Sequence, residues 1–428
     1  MTFRFRKFIA LGATLFGAAL FSQLPAIPCA VAADAPSHWV TSWATALQPI
    51  PNRADLPPLY RAPEVAARTV RQIVFPTLSG RGVRVHISNA YGREPLVLED
   101  VQIAQSAGGA ALRAGSSMQV TFGGRKSVAV PPGGELDSDP VAMEVSAGAP
   151  YVISSYMGQQ QTLTVWHRVS NQVNYVSTAG NHAADAGADA YRTKFTQYAW
   201  VTALTVDAPS SAAIAAIGDS ITDGMRSSLN RNQRWPDAFS RRLAESGKGS
   251  TSILNLGISG NRLLSDSPCY GDALVRRFDR DVLAHPGVKA VVLLIGINDI
   301  NFPAMPPRAG LDCDFPHTPV TAQSLIAGYQ QVIAAAHRHG LRIFGATLTP
   351  ASLPRDREEI RLAVNRWIRT SGAFDGVVDF DGAVRDPARP DRLLPRYDSG
   401  DHIHPSDVGY AAMAEAVPLA AVTEAAHR

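Results

Sequence analysis

The chain has 428 residues, 46% of them hydrophobic and 18% charged, a balance that excludes an intrinsically disordered protein and leaves room for two or three domains. Forty basic residues stand against 37 acidic ones, but Arg4, Arg6 and Lys7 lie in a leader-like N-terminal segment, and without it the two signs are equal at 37 each. The basic character of the whole chain therefore gives no reason to expect nucleic acid or an anionic membrane as a partner.

Taken from the N-terminus, the three cations precede an apolar run from Phe8 to Phe21, followed by the small residues Ala30-Val31-Ala32. Fourteen residues are too few to span a bilayer, which takes about 20, so residues 1–32 are expected to be a cleaved signal peptide rather than a membrane anchor. The mature protein is then secreted or periplasmic. Pro28 before Cys29 is a poor fit to lipoprotein processing, which wants a small residue there.

Residues 36–205 contain Gln72–Phe75, Val83–Ile87, Ser127–Val130, Tyr151–Ser155 and Leu163–His167, short alternating or β-branched runs separated by Gly- and Pro-rich turns. Such spacing predicts a β-sandwich-like accessory domain. Trp39, Trp43, Trp166 and Tyr175 are candidate sugar platforms in it, against the alternative that aromatic residues at alternating strand positions fill its core. His167 could reach a catalytic cleft walled by this domain or be a satisfied structural histidine. The stretch Ala208-Pro-Ser-Ser-Ala212 marks the junction to a second domain over 211–428.

There the pattern changes. Ala212–Ile217, Ser252–Leu256, Ala290–Ile295, Arg342–Thr347 and Gly376–Phe380 are short apolar runs suited to strands buried on both faces. Helical stretches lie between and after them, near Trp235–Glu245, Val275–Leu283, Ala322–His339, Glu358–Thr370 and Asp407–Ala416. Five strand–helix units predict an α/β fold with a doubly wound, flavodoxin-like parallel five-stranded sheet, whose ligands bind at the C-terminal strand ends.

Removal of the leader takes Cys29 and leaves Cys269 and Cys313, an even number in an oxidising compartment, which predicts a disulfide. It would close a loop of about 44 residues, worth about 4 kcal/mol in the chain-entropy picture. As the two cysteines follow the Gly260 and Asn298 segments, the bridge would shape the rim of a site formed there.

The first strand of this half runs into Gly218-Asp219-Ser220, a serine raised at a strand end. Gly257-Ile-Ser-Gly260-Asn261, Gly296-Ile-Asn298-Asp299 and Asp401-His-Ile-His404-Pro405 follow in order. Over residues 211–420 these four segments resemble the motif blocks of the SGNH hydrolases, or GDSL esterases, and specifically secreted bacterial members with an N-terminal β-rich domain. The resemblance implies a serine hydrolase with Ser220 as nucleophile, Asp401 and His404 completing a triad, and Ser220, Gly260 and Asn298 as oxyanion donors.

The residue types fit those roles. A serine hydroxyl needs a base to take its proton and a carboxylate to orient that base, and a spacing of three puts Asp401 and His404 on one side of a turn. The order Ser, Asp, His is also that of α/β-hydrolases, but their G-x-S-x-G elbow is missing. Gly260 lets backbone approach a substrate closely, and the Asn298 amide is a donor that does not titrate. Asp398 competes with Asp401 and reads as an exposed loop carboxylate. His402 makes His-x-His with His404, a metal-type pair to which Asp401 could be a third ligand; a metal centre would leave the serine and oxyanion donors without purpose. Asp219 and Asp223 read as structural carboxylates at a helix start.

The expected activity is hydrolysis of short-chain carboxylic esters through an acyl-enzyme, with O-acetyl groups on carbohydrate the first substrate class. Lysophospholipid or short-chain lipid esters are the alternative, and a catalytically inert carbohydrate-binding protein is the alternative of another class. The chemistry needs no cofactor or metal. Trp235-Pro236, Tyr270, Phe302 and Phe315 are candidates to line the acyl or leaving-group pocket.

Overall fold

The sheet that carries the serine is parallel throughout because its strands are apolar on both faces. Every residue of Ala212–Gly218 is buried, and the strand has neighbours on both sides. The computed structural model describes residues 37–158 and 162–427, so the expected signal peptide and Cys29 lie outside the described residues. In space the sheet runs Thr251–Gly257, Ala212–Gly218, Val288–Leu294, Arg342–Ala346, Gly376–Val378. Counted along the chain this is the order 2-1-3-4-5, the doubly wound arrangement with its switch point beside the first strand.

Helices Trp235–Glu245, Ala322–Arg338, Arg355–Thr370 and Asp407–Ala416 follow the sequence pattern closely. Two elements differ from expectation. The fifth strand stops at Val378 because the Asp379 side chain accepts from Gly382 N and caps a short helix, Phe380–Val384. The stretch expected as one helix over Val275–Leu283 is α-helical only across Leu274–Phe278 and continues as a π-turn over Asp279–Leu283.

The β-rich half is built from antiparallel sheets. One comprises Trp39–Ala44, Val201–Asp207, Val83–Ser88 and Glu135–Asp137 in that order. A larger one is centred on Arg68–Val74, Tyr151–Tyr156 and Asp100–Gly108, with Asn174–Ala179 and Thr193–Phe195 at its side. Residues Ser37–Arg428 form one compact unit. Val40, Trp43 and Val206 share one hydrophobic cluster with Ala213 and Ile253 of the parallel sheet. Polar ties cross the same seam: Thr77 Oγ1 lies 2.8 Å from Ser252 Oγ and accepts from Ile253 N, and Thr41 N donates to Pro286 O.

A buried arginine and a buried aspartate fix the C-terminal end of the sheet. Arg277 donates to the Gly218 and Leu256 carbonyls, to Asn261 Oδ1 and to Asp281 Oδ2, tying the first two strands to the loop after the second. Its side chain is fully buried. Asp219 turns the first strand into the Ser220–Asp223 helix by accepting from Ile221 N at 3.0 Å. Burial pushes its carboxyl up to about 7, only partly opposed by that N–H and by Arg277.

Arg277→Met should lower unfolding stability by about 3 kcal/mol in a urea titration, since it leaves Asp281 and two carbonyls without their shared donor. For Asp219 the sign follows from proton uptake. Between about pH 4 and 7 the folded state holds this proton and the unfolded state does not, so the Asp219 contribution makes stability fall as pH rises. Asp219→Asn should therefore gain stability relative to wild type between pH 4.5 and 7.5; a constant difference across that range would contradict the burial argument.

Candidate active site

Gly218 ends the first strand where no side chain fits: a Cβ there would lie 2.0 Å from the Leu294 carbonyl oxygen of the adjoining strand. This close approach lets the chain turn at Asp219 and begin a helix at Ser220, stopped one turn later by Gly224 at φ 91°. Ser220 is buried, and its Oγ lies 2.8 Å from His404 Nε2. His404 Nδ1 lies 2.8 Å from Asp401 Oδ2, while Asp401 Oδ1 accepts from the backbone N–H groups of His404 and Ile403 at 2.8 and 3.1 Å. Burial alone would push the Asp401 carboxyl up, but the His404 ring and these two N–H groups together hold it well below the usual carboxylate range. Arg226 Nε donates to the same Oδ2 at 3.0 Å from the loop after the serine helix, a contact with no signal in the sequence.

Asp398 is not the exposed loop carboxylate expected. Its side chain is 13% exposed, accepts from the Gly400 and His402 N–H groups, and lies 2.6 Å from His402 Nδ1. His402, at φ 67°, and His404 thus each take their own carboxylate, and the two rings are oriented separately. Among the described residues no group of three or more His, Cys, Asp or Glu side chains is arranged to hold a metal ion.

Gly260 has φ 86°, and a Cβ there would meet the Tyr270 ring at 2.4 Å, so both conformation and space favour glycine. Asn298 is the second residue of the short helix Ile297–Asn301 and donates one amide hydrogen to the Asn261 carbonyl at 3.0 Å. The second hydrogen of that amide remains for another acceptor. Asn261 in turn donates to the Tyr270 and Asp272 carbonyls. Next to Asn298, Asp299 accepts from Leu263 N and Leu264 N at 2.7 and 2.9 Å and holds the loop from below.

Cys269 and Cys313 form the expected disulfide, with Cα atoms 5.1 Å apart. Gln48 of the β-rich half donates to the Cys269 carbonyl. Tyr270, beside the bridge, packs near Phe302, with ring centroids 5.6 Å apart; the Arg168 guanidinium lies 5.2 Å from the Tyr60 ring and 5.6 Å from the Tyr270 ring. Phe315 is exposed and lines a groove of about 500 Å³ with Ile50, Arg53, Arg93 and Leu311. Trp235 does not line a pocket. It is fully buried against Phe380, with Pro236 buried behind it.

Of the aromatic residues considered as sugar platforms, Trp43 and Trp166 belong to the core. Trp39 and Tyr175 are half-buried, the first under Arg84 and the second against the small cluster of Ile73 and Val152. His167 is fully engaged: Nδ1 faces the Ala46 carbonyl and Nε2 faces Asp223 Oδ1. Asp223 is structural, as its position suggested, but its partners come from the other half of the chain and from Ser259.

Residues 216–412 match the GDSL-like Lipase/Acylhydrolase family. No curated protein matches the chain. Among solved structures, a lipolytic protein of the G-D-S-L family from Desulfitobacterium hafniense DCB-2 is 20% identical, covering 50% of this chain and 99% of its own, with a TM-score of 0.36. A catalytic mutant of Axe2, an acetylxylan esterase from Geobacillus stearothermophilus, is 21% identical over 48% of this chain and 91% of its own, with a TM-score of 0.36. The acetyl xylan esterase AlAXEase is 20% identical over 48% and 96%, with a TM-score of 0.35. The Gly218-Asp219-Ser220 turn, Gly260, Asn298, Asp401 and His404 all lie inside the segment that matches the GDSL-like Lipase/Acylhydrolase family.

Proposed function

We propose that this chain is an exported esterase in which Ser220, His404 and Asp401 form the catalytic triad and the oxyanion is met by Ser220 N–H, Gly260 N–H and the Asn298 amide. The observation that carries the reading is the unbroken line of 2.8 Å contacts from Ser220 Oγ through the His404 ring to Asp401. With Nδ1–H directed at an ionised Asp401, Nε2 of the neutral ring is left to accept the Ser220 proton. Ser220 Oγ then attacks the ester carbonyl and the carbonyl oxygen becomes an oxyanion. His404 passes the proton to the leaving alcohol. Water attacks the acyl-enzyme with His404 again as base, the proton returns to Ser220, and the acid departs. Each oxyanion donor contributes about 3 to 4 kcal/mol to the transition state.

For substrate we propose O-acetyl groups on carbohydrate. What packs on the Gly260 loop is Tyr270 with Tyr60, Phe302 and Arg168. Aromatic faces and a guanidinium suit a sugar ring and its hydroxyls better than an aliphatic acyl chain. The nearby groove beside the disulfide is open and mixed in character, with Arg53, Arg93 and Asn52 next to Phe315. In this reading 36–205 is a β-rich domain and 211–428 the catalytic domain. The disulfide and the leader-like N-terminus support export, and no described helix is long and apolar enough to cross a membrane.

Acetate release from acetylated xylan, measured beside hydrolysis of acetyl, butyryl and decanoyl p-nitrophenyl esters, tests the substrate. Release that vanishes in Ser220→Ala, with activity collapsing beyond butyryl, is expected. Rates that climb with acyl length and no acetate from polysaccharide would instead indicate a lipid esterase, and failure to hydrolyse any ester would indicate a binding protein. Asp401→Ala should lower kcat by about 10⁴-fold. Asp398→Ala should stay within about tenfold of wild type; if the two outcomes were reversed, the triad would have to be redrawn around Asp398.

A further inference from the structure

His167 belongs to the β-rich half, and its two ring nitrogens face only acceptors. Nδ1 lies 2.9 Å from the Ala46 carbonyl; Nε2 lies 3.0 Å from both Asp223 Oδ1 and the Val169 carbonyl. A neutral imidazole has one N–H and would set a lone pair against a carbonyl oxygen, so the form these partners satisfy is the imidazolium. Burial pulls its pKa down, but the Asp223 carboxylate and the two carbonyls outweigh burial and raise it. The pair is almost wholly buried, with side-chain exposures of 4% and 2%.

Asp223 uses its other oxygen elsewhere. Oδ2 accepts from Ser259 N at 2.8 Å and from Ser259 Oγ at 2.6 Å. Ser259 immediately precedes Gly260, and Asp223 ends the helix that Ser220 begins. One carboxylate thus joins the β-rich half, the serine helix and the Gly260 loop. A second tie runs parallel to it: Asn171 Nδ2 donates to the Gly224 carbonyl at 2.6 Å. A buried ion pair of this kind gains little stability over a well-packed apolar pair, so stability alone does not account for it.

We propose that His167, acting through Asp223 and Ser259, is a positioning residue that sets the place of the Gly260 N–H relative to Ser220. The inference rests on the reading of Ser220 as nucleophile and Gly260 as oxyanion donor. It gives the β-rich half a part in the chemical step: the half supplies the cation that fixes the carboxylate, and the carboxylate fixes the loop. The Gly260 N–H is useful only where the oxyanion forms, and a displacement of about 1 Å can cost about 10²-fold in rate. The loss should therefore fall on kcat, because the ground-state carbonyl engages the donor less than the oxyanion does.

The test uses full-length protein and four variants, His167→Gln, Asp223→Asn, Ser259→Ala and Ser220→Ala. Steady-state hydrolysis of p-nitrophenyl acetate is measured with the rate of inactivation by a fluorophosphonate and with a urea unfolding curve. The first three variants should lose about 10- to 100-fold in kcat with KM within about threefold, and should be inactivated correspondingly slowly, while unfolding cooperatively. The double variant His167→Gln with Ser259→Ala should lose no more than the worse single one, as members of one chain of contacts do. Turnover within about twofold of wild type in folded Asp223→Asn and Ser259→Ala, or a loss confined to KM, overturns the proposal. If His167→Gln does not fold, Ser259→Ala decides, as it removes one hydroxyl and leaves the ion pair in place. Ser220→Ala separates the two levels: activity surviving there refutes the serine reading itself, whereas a dead Ser220→Ala beside unimpaired positioning variants refutes only this inference.

Discussion

The register of three parallel strands is the constraint on which the site depends. Gly218 pairs with Gly257 on one side and with Leu294 on the other, so the three chains leave the sheet at one level. Ser220 comes two residues after Gly218, Gly260 three after Gly257 and Asn298 four after Leu294. No long loop has to search for its place. The strands deliver a hydroxyl, a backbone N–H and a side-chain amide to one end of the sheet, and Gly218 lets Val288–Leu294 close in on the first strand where any Cβ would strike the Leu294 carbonyl. Asp401 and His404 come from beyond the last strand, which is why their geometry is set locally by the two backbone bonds into Asp401 Oδ1.

Around this edge the protein places buried arginines as fasteners. Arg277 gathers Gly218, Leu256 and Asn261, and Arg262 donates to the carbonyls of Asp266, Asp314, Phe315 and Pro316. Each satisfies carbonyls that a loop near the core cannot pair with a strand partner. The disulfide joins the same two loops that Arg262 joins, so the rim is held covalently and by hydrogen bonds at nearly the same point.

What the sequence made legible was local or periodic. Four of the sheet strands appear as apolar runs because both faces are largely buried, and Trp235–Glu245 and Asp407–Ala416 begin and end where their patterns do. The four motif segments carry the site because each sits at a strand end or in one tight turn. What stayed hidden depends on partners far along the chain. Trp39–Ala44 becomes a strand by pairing with Val201–Asp207, and His167 finds its carboxylate 56 residues later. Asp398 looked free because nothing in a one-dimensional pattern says that a left-handed His402 will fold back on it. Trp235 looked like a pocket residue for its nearness to Ser220 in sequence, whereas its position on the helix turns it into the core against Phe380.

The pairing of Trp39–Ala44 with Val201–Asp207 also spans almost the whole of the β-rich half. The first described strand has no partner in its sheet until a segment more than 150 residues later has been made, and that segment is the last before the parallel sheet begins. Contacts of such long range are slow to form, because the loop between them must be closed before any of them is rewarded. The sheet of Trp39–Ala44 is therefore complete only with Val201–Asp207, the neighbour in the chain of Ala212–Gly218, and the Thr77 contacts to Ser252 and Ile253 need the second strand of the parallel sheet as well. The two halves are written one after the other in the chain, but they are completed together.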